Sequence, residues 1–319
     1  MSAKKTKPNE INIVRVYDAP VKDVWEAWID PKKVAKWWGP RGFTITTKSK
    51  DVRAGGTWVY TMHGPDGTDW PNITLYHEVE KYSRLVYDHG GNETQPPLFR
   101  VTVTFVEANG KTTMDMTMAV ATEEAAKQMK QFIKQAGGNS TWDRLAEFLG
   151  KENEGKERFV INRTFEASLN TMFEMFTKPE HFSKWLPPTG MNMTYLKSDI
   201  SPGSTTLYLM SDGAGFTMHG KINYLEITKP DRIVYTQQFS DEKGNTTRAP
   251  WDSNWPETML STITLVEEGQ NLTRVTVNWE IVGAPTAAEL ESFIKEKAGM
   301  TQGWTGSFDK LEDLITKGS

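Results

Sequence analysis

The chain is predicted to contain two copies of one α+β domain, each built as a curved antiparallel sheet around a long C-terminal helix. Three features support this prediction: an internal repeat, alternating apolar segments within each copy, and a long helical pattern at the end of each copy. The length of 319 residues also favours two domains, since domains commonly span about 100–200 residues. We place the first domain at residues 8–150 and the second at residues 157–319, joined by a short, charged, glycine-bounded linker.

The internal repeat is gapless over more than 70 residues when positions 148 apart are compared. After Tyr87 the offset grows to about 160, so the second copy carries about twelve extra residues, which fall within residues 236–256. Two long copies indicate a duplicated domain rather than a solenoid of short repeats. The matching pairs include Arg15/Arg163, Ala19/Ala167, Trp37/Trp185, Gly55/Gly203, Tyr60/Tyr208, Tyr76/Tyr224 and Tyr87/Tyr235.

Each copy is predicted to begin with a strand and two short helices. Residues 11–17 alternate between apolar and polar side chains, as a half-buried strand does. Val24, Trp25 and Trp28 follow with the spacing of one helix face. Pro31 then ends this helix and suits the first position of a second helical turn.

About six strands and a closing helix are predicted to follow in each copy. In the first copy, period-two patterns locate five of the strands at residues 57–63, 73–80, 84–89, 98–107 and 112–120. Hairpin-like turns separate them, so an antiparallel sheet is expected. The closing helices are predicted at about residues 122–149, with a weak point at Gly137-Gly138, and at about residues 286–316. A sheet curved around one helix leaves a cavity, which suits a small molecule.

The composition excludes several classes of function. The chain has no cysteine, so disulfides, thiolate metal sites and cysteine nucleophiles are excluded. A net charge of −4 with no basic face argues against a nucleic-acid partner. No apolar run approaches the roughly 18 residues that span a membrane, and no signal peptide is visible, so a cytoplasmic location without membrane insertion is expected. Phosphate loops and nucleophile elbows are absent, and no cofactor or metal is predicted.

Several motifs, taken in order, resemble one known family. They lie at residues 37–44 (WWGPRGFT), 55–58, 64–67, 84–87 and 303–311. Together they resemble the activator of heat shock protein ninety ATPase C-terminal-domain-like family, within the START-like (SRPBCC) superfamily. The resemblance covers nearly the whole chain, twice. It implies two helix-grip domains whose cavities bind lipids, polyketides or other hydrophobic small molecules, and it carries over no catalytic residues.

Three histidines of the first copy fall on successive predicted strands. Neighbouring strands lie about 4.8 Å apart, so side chains on them can meet. Strand parity places His63 on the face opposite Met62. We interpret His77 as facing inward with Ile73, Leu75 and Val79, and His89 as facing inward with Leu85 and Tyr87. Three interpretations stay open: a structural histidine, which leads, a polar group that lines a pocket, and a metal ligand.

Large aromatic side chains and methionines are the best candidates for lining a cavity, with core packing as the alternative for each. Because Leu186 and Thr206 stand where the first copy has Trp38 and Trp58, the two cavities are expected to differ in shape. The candidates are Trp25, Trp37, Trp38, Trp58, Tyr60, Met62, His77 and His89 in the first copy, and Phe173, Trp185, Tyr208 and Met210 in the second.

The sequence therefore predicts a binding module that holds a hydrophobic or aromatic small molecule in one or both cavities. One alternative is a co-chaperone-like protein of the stress response, with a chaperone as its partner. The other is a cyclase- or hydrolase-like enzyme acting in the cavity, with His77, His89 or Tyr60 as its polar groups.

Overall fold

A computed structural model describes residues 7–90, 96–135 and 140–317. The chain divides into two compact units, the first ending at Lys156 and the second beginning at Glu157. Each unit has one seven-stranded antiparallel sheet, one face of which, here called the inner face, is covered by helices. The predicted fold class, α+β with two helix-grip domains, is confirmed.

The first sheet has the strand order β1-β7-β6-β5-β4-β3-β2. The sixth strand expected after the short helices is β2, which is rich in threonine and carries little apolar signal. The elements of this unit are β1 (Glu10–Tyr17), α1 (Val21–Ile29), α2 (Pro31–Val34), β2 (Thr44–Lys50), β3 (Thr57–His63), β4 (Asp69–Glu80), β5 (Arg84–His89), β6 (Phe99–Ala108), β7 (Lys111–Ala119), α3 (Glu123–Gln135) and α4 (Ser140–Glu154).

The second sheet repeats this topology, with the order β8-β14-β13-β12-β11-β10-β9. The elements of this unit are β8 (Arg158–Phe165), α5 (Leu169–Thr177), α6 (Pro179–Trp185), β9 (Asn192–Lys197), β10 (Thr205–Ser211), β11 (Thr217–Thr228), β12 (Arg232–Ser240), β13 (Met259–Gly269), β14 (Leu272–Ile281) and α7 (Ala287–Lys317).

Local chemistry accounts for the boundaries of the short elements. The apolar stripe of α1 is buried, and α2 begins at Pro31 because the Asp30 carboxylate accepts hydrogen bonds from the Lys32 and Lys33 amides, at 2.7 and 3.1 Å. The hairpin between β6 and β7 turns at Asn109 and Gly110, both with positive φ. Such a pair matches the twist of the flanking strands.

The long closing helices differ between the units. In the first unit the predicted helix is described as α3 and α4, and the predicted weak point at Gly137-Gly138 lies outside the described residues. In the second unit a single helix of 31 residues, α7, covers the sheet. The extra residues of this copy pack against α7, because Trp255 is buried against Phe293 at a centroid distance of 6.0 Å. The Ser292 hydroxyl also donates to the Asp252 carboxylate at 2.6 Å.

Candidate functional site

A cavity of about 160 Å³ lies on the inner face of the first sheet. Strands β3, β5, β6 and β7 form one side, and the loop after α2 and the start of α4 form the other. None of the described lining residues carries a formal charge, and most are aromatic or sulfur-containing. They are Trp38, Gly39, Pro40, Met62, Tyr87, His89, Phe99, Val101, Met116, Met118, Thr141 and Trp142.

Trp38 lines this cavity and is held in place by several contacts. Its indole nitrogen donates to the Tyr60 hydroxyl at 3.2 Å. Its ring meets Trp58 edge to face at 5.2 Å and Trp142 at 6.2 Å. Burial raises the pKa of Tyr60 well above its ordinary value, so this hydroxyl keeps its proton. The contacts from three sides hold the indole in one orientation.

His89 is the histidine among the described residues that line the cavity. Its imidazole stacks on Phe99 at a centroid distance of 4.8 Å and lies 6.1 Å from the Trp38 ring. Burial lowers the pKa of His89 to about 4, so the ring is neutral at pH 7. Within the described residues its nitrogens form no hydrogen bond, so they are free to bond a guest molecule.

Two arginines fix the loop that carries Trp38. One nitrogen of Arg144 donates to the carbonyl oxygens of Gly39, Pro40 and Phe43 at 2.8, 3.0 and 3.1 Å. Arg41 forms a bidentate ion pair with Glu147, and both side chains are almost fully buried. Helix α4 thus holds the loop, and the cavity wall is pre-organised.

Seven of the eight predicted site residues of the first copy lie at three positions on the inner side of the sheet. Trp38, Met62 and His89 line the cavity. Trp37, Trp58 and Tyr60 lie behind that wall, and Trp37 is fully buried with its indole nitrogen bonded to the Ala27 carbonyl at 3.0 Å. Trp25 packs in the core away from the cavity, edge to face with Tyr82 and Phe105.

The interpretation of His77 as an inward-facing residue is wrong. Its ring is exposed on the outer face of the sheet, 2.8 Å from the Asp88 carboxylate and 3.2 Å from Arg100. Before the bulge between Tyr76 and Glu78, alternate positions of β4 are buried at Asn72, Thr74 and Tyr76, so His77 lies on the outer face with Leu75. The bulge changes the phase of β4 and returns Val79 to the core side, so a parity taken from Ile73, Leu75 and Val79 together places His77 on the wrong face.

His63 lies on the outer face, as the parity argument predicted. Its Nδ1 is 2.6 Å from the Asp69 carboxylate, and its Nε2 is 2.8 Å from the Thr46 hydroxyl. The three histidines therefore do not converge. In the part of the chain that the structure describes, no group of three or more metal-ligating side chains is placed to hold an ion.

The predicted residues of the second copy belong to its core. Trp185 is fully buried, and its indole nitrogen donates to the Met175 carbonyl at 2.8 Å. Phe173 and Met210 are also buried, and Tyr208 packs against the same core. In strand register, Trp279 is the counterpart of Met118. Ser261 of the second sheet corresponds to Val101 of the first, and Ser261 pairs with Trp279 as Val101 pairs with Met118. Its indole meets Trp304 at 5.8 Å. Large rings therefore occupy the corresponding region of the second unit.

Several lining residues were missed by sequence reasoning although a signal for them existed. Phe99 and Val101 on β6, and Met116 and Met118 on β7, alternate along strands that were located correctly. Tyr87 is one of the repeat pairs, matching Tyr235. Gly39 and Pro40 belong to the WWGPRGFT motif. Thr141 and Trp142, on α4, lacked such a signal, since helix periodicity does not show which turn of a helix contacts a cavity.

Comparison with known proteins identifies a family and finds several similar solved structures. A family model described as Activator of Hsp90 ATPase homolog 1-like protein matches residues 18–150 and 166–316. A structure from Staphylococcus epidermidis is 28% identical and covers 48% of this chain and 96% of its own, with a TM-score of 0.43. One from Arthrobacter aurescens is 26% identical and covers 47% of this chain and 91% of its own, also at 0.43.

A Silicibacter pomeroyi structure named as an AHSA1 protein is 13% identical, covers 51% of this chain and 99% of its own, and has a TM-score of 0.40. Each of these structures thus spans about the length of one unit. No curated protein matches the chain. Across the described ranges, no helix has both the length and the apolar character needed to cross a membrane.

Proposed function

Because the chain belongs to the Activator of Hsp90 ATPase homolog 1-like family, in two successive copies, we propose that its first unit binds a small uncharged molecule of hydrophobic or aromatic character. The main support for this proposal is the cavity of about 160 Å³, which is lined by aromatic and methionine side chains and has no charged group among its described lining residues. The START-like fold of the unit is compatible with this role.

The size of the cavity limits the ligand. An apolar cavity of about 150 Å³ accepts a single benzene-sized molecule, whereas pockets for drug-sized ligands span about 300–1,000 Å³. One ring with a short substituent therefore fills this volume, and a long acyl chain would have to extend beyond it. Methionine side chains at Met62, Met116 and Met118 adapt to small differences in shape.

Thermal denaturation of the full chain tests the proposal. Benzene and toluene are expected to raise the melting temperature, since a ligand at 100 times its Kd stabilises the folded state by about 2.7 kcal/mol. A fatty acid such as palmitate, added at the same concentration, is expected to have no effect. A flat response to both aromatic compounds would refute the proposal, and stabilisation by palmitate would refute the size limit.

A further inference from the structure

His89 differs from the other two histidines of the first unit in what its ring nitrogens contact. His63 lies between Thr46 and Asp69, and His77 contacts Asp88 and Arg100, so both have polar partners on the outer face. His89 instead stacks on the Phe99 ring, lies 6.1 Å from the tilted Trp38 ring and forms no hydrogen bond to any described residue. A guest that donates to the accepting nitrogen adds a hydrogen bond that no described residue supplies, and so gains affinity.

The lack of charged side chains among the described lining residues limits which polar groups a ligand can carry. The described lining residues include no lysine, arginine, aspartate or glutamate. A carboxylate or ammonium group brought into this place would lose its hydration without meeting an opposite charge, which is costly. The polar part of the guest must therefore be neutral and must be small.

Imidazole chemistry then favours a hydroxyl group on an aromatic ring. A neutral imidazole has one nitrogen that accepts a hydrogen bond and one that donates. A phenolic O–H is a good donor to the accepting nitrogen, and its ring can lie against the aromatic walls at Trp38, Phe99 and Trp142. One ring with one hydroxyl also matches the cavity volume of about 160 Å³.

We propose that the guest of this cavity is a neutral monocyclic phenol whose hydroxyl donates a hydrogen bond to the imidazole of His89. This inference rests on the proposed function, because it assigns the chemical class of the ligand for the same cavity. His89 is the residue that selects phenols over plain hydrocarbons, and the aromatic and methionine walls supply the remaining affinity.

Calorimetric titration of the full chain with phenol, benzene and benzoate tests the inference. Phenol is expected to bind about tenfold more tightly than benzene, which is the usual size of one sheltered hydrogen bond, and benzoate is expected not to bind. In His89→Phe the affinity for phenol is expected to fall about tenfold, to that for benzene, while benzene binding is kept. The matched control is His77→Phe on the outer face, which should leave both affinities unchanged.

The outcomes separate the two proposals. Binding of none of the three compounds would overturn the proposed function together with this inference. Equal affinities for phenol and benzene, or a phenol affinity that His89→Phe does not change, would overturn the phenol assignment alone. Tight binding of benzoate would overturn the requirement for a neutral guest.

The wild-type chain offers a second measurement that does not depend on a variant that folds. The ring ¹⁵N resonances of His89 are expected to shift on titration with phenol and to move much less with benzene. Phenol binding that leaves these resonances in place would show that the hydroxyl lies elsewhere, and the inference would fail.

Discussion

The guanidinium of Arg41 forms a bidentate ion pair with the carboxylate of Glu147, at 2.7 and 3.1 Å, and both side chains are almost fully buried. The pair joins the loop that carries Trp38 to helix α4. The Arg41 backbone amide also donates to the Ser140 hydroxyl at 2.9 Å, near the start of the same helix. Two sides of the cavity are thus connected by charge and by hydrogen bonds.

Removing one partner of this pair should destabilise the first unit strongly. Glu147→Gln is expected to lower the free energy of unfolding by about 3–5 kcal/mol, since it breaks a bidentate ion pair between two nearly buried side chains. Urea denaturation measures the change. The control is Glu123→Gln at the exposed pair with Lys127, where the expected loss is about 0.3–0.5 kcal/mol. A similar small loss at Glu147 would contradict the importance of the pair.

Filling the cavity should abolish ligand binding while the fold is kept. Met118→Trp places in the first unit the residue type that the second unit carries as Trp279 at the same position of the sheet. The added indole volume is expected to reduce the affinity for a single-ring ligand at least tenfold, measured by calorimetry. Thr113→Val, on the outer face of the same strand, is the control and should leave the affinity unchanged. Unaltered binding in Met118→Trp would place the ligand outside this cavity.

His89 should make the stability of the first unit depend on pH. Burial lowers the pKa of His89 to about 4 in the folded chain, from an ordinary value near 6.5. Between these two values the unfolded chain binds a proton that the folded chain does not, so stability falls as the pH falls through this window, by up to about 3 kcal/mol. Tyr87 does not interfere, because burial raises its pKa well above the ordinary value.

The comparison that isolates this effect uses His89→Phe, which has no such proton to bind. The free energy of unfolding of the wild type should fall relative to that of the variant between pH 6.5 and pH 4. Chemical denaturation at several pH values gives the difference. Parallel pH profiles for the two proteins would mean that the ring is not sheltered from protonation.

Lys50 should limit the stability of the first unit at neutral pH. Its amine lies 3.3 Å from the centroid of the Trp58 ring and donates to the Tyr76 hydroxyl at 3.3 Å. Burial lowers the pKa of Lys50 well below its ordinary value, so the unfolded chain binds more protons and stability rises with pH towards about 10.5. Lys50→Met is therefore expected to be more stable at pH 7 by about 1 kcal/mol.

The advantage of Lys50→Met should shrink as the pH is raised, because the penalty for burying the charged amine disappears when the unfolded lysine also loses its proton. The control is Lys48→Met, an exposed position on the same strand, which should change stability little at any pH. A less stable Lys50→Met at pH 7 would show that the contacts to Trp58 and Tyr76 outweigh the desolvation of the amine.

The family resemblance inferred from short motifs is confirmed, and so are most of the strands. The strands at residues 57–63 and 84–89 coincide with β3 and β5, since their turns contain glycine or polar residues with a definite backbone preference. The predicted orientation of His77 was wrong, and His77 lies where a strand changes phase. His77 sits at a bulge, and a pattern with period two cannot show a bulge when polar residues such as Asn72 and Thr74 occupy the buried face.

By itself the sequence determined that the protein is a duplication of one antiparallel sheet-and-helix domain, because repeats, turns and alternation are local properties of the chain. Which side chains surround a cavity was decided only by the tertiary structure. His89 faces Trp38 and Phe99 through contacts between separate elements. Trp279 takes the place of Met118 only through strand register. The volume left between packed elements depends on all of their side chains at once, and no single segment carries that information.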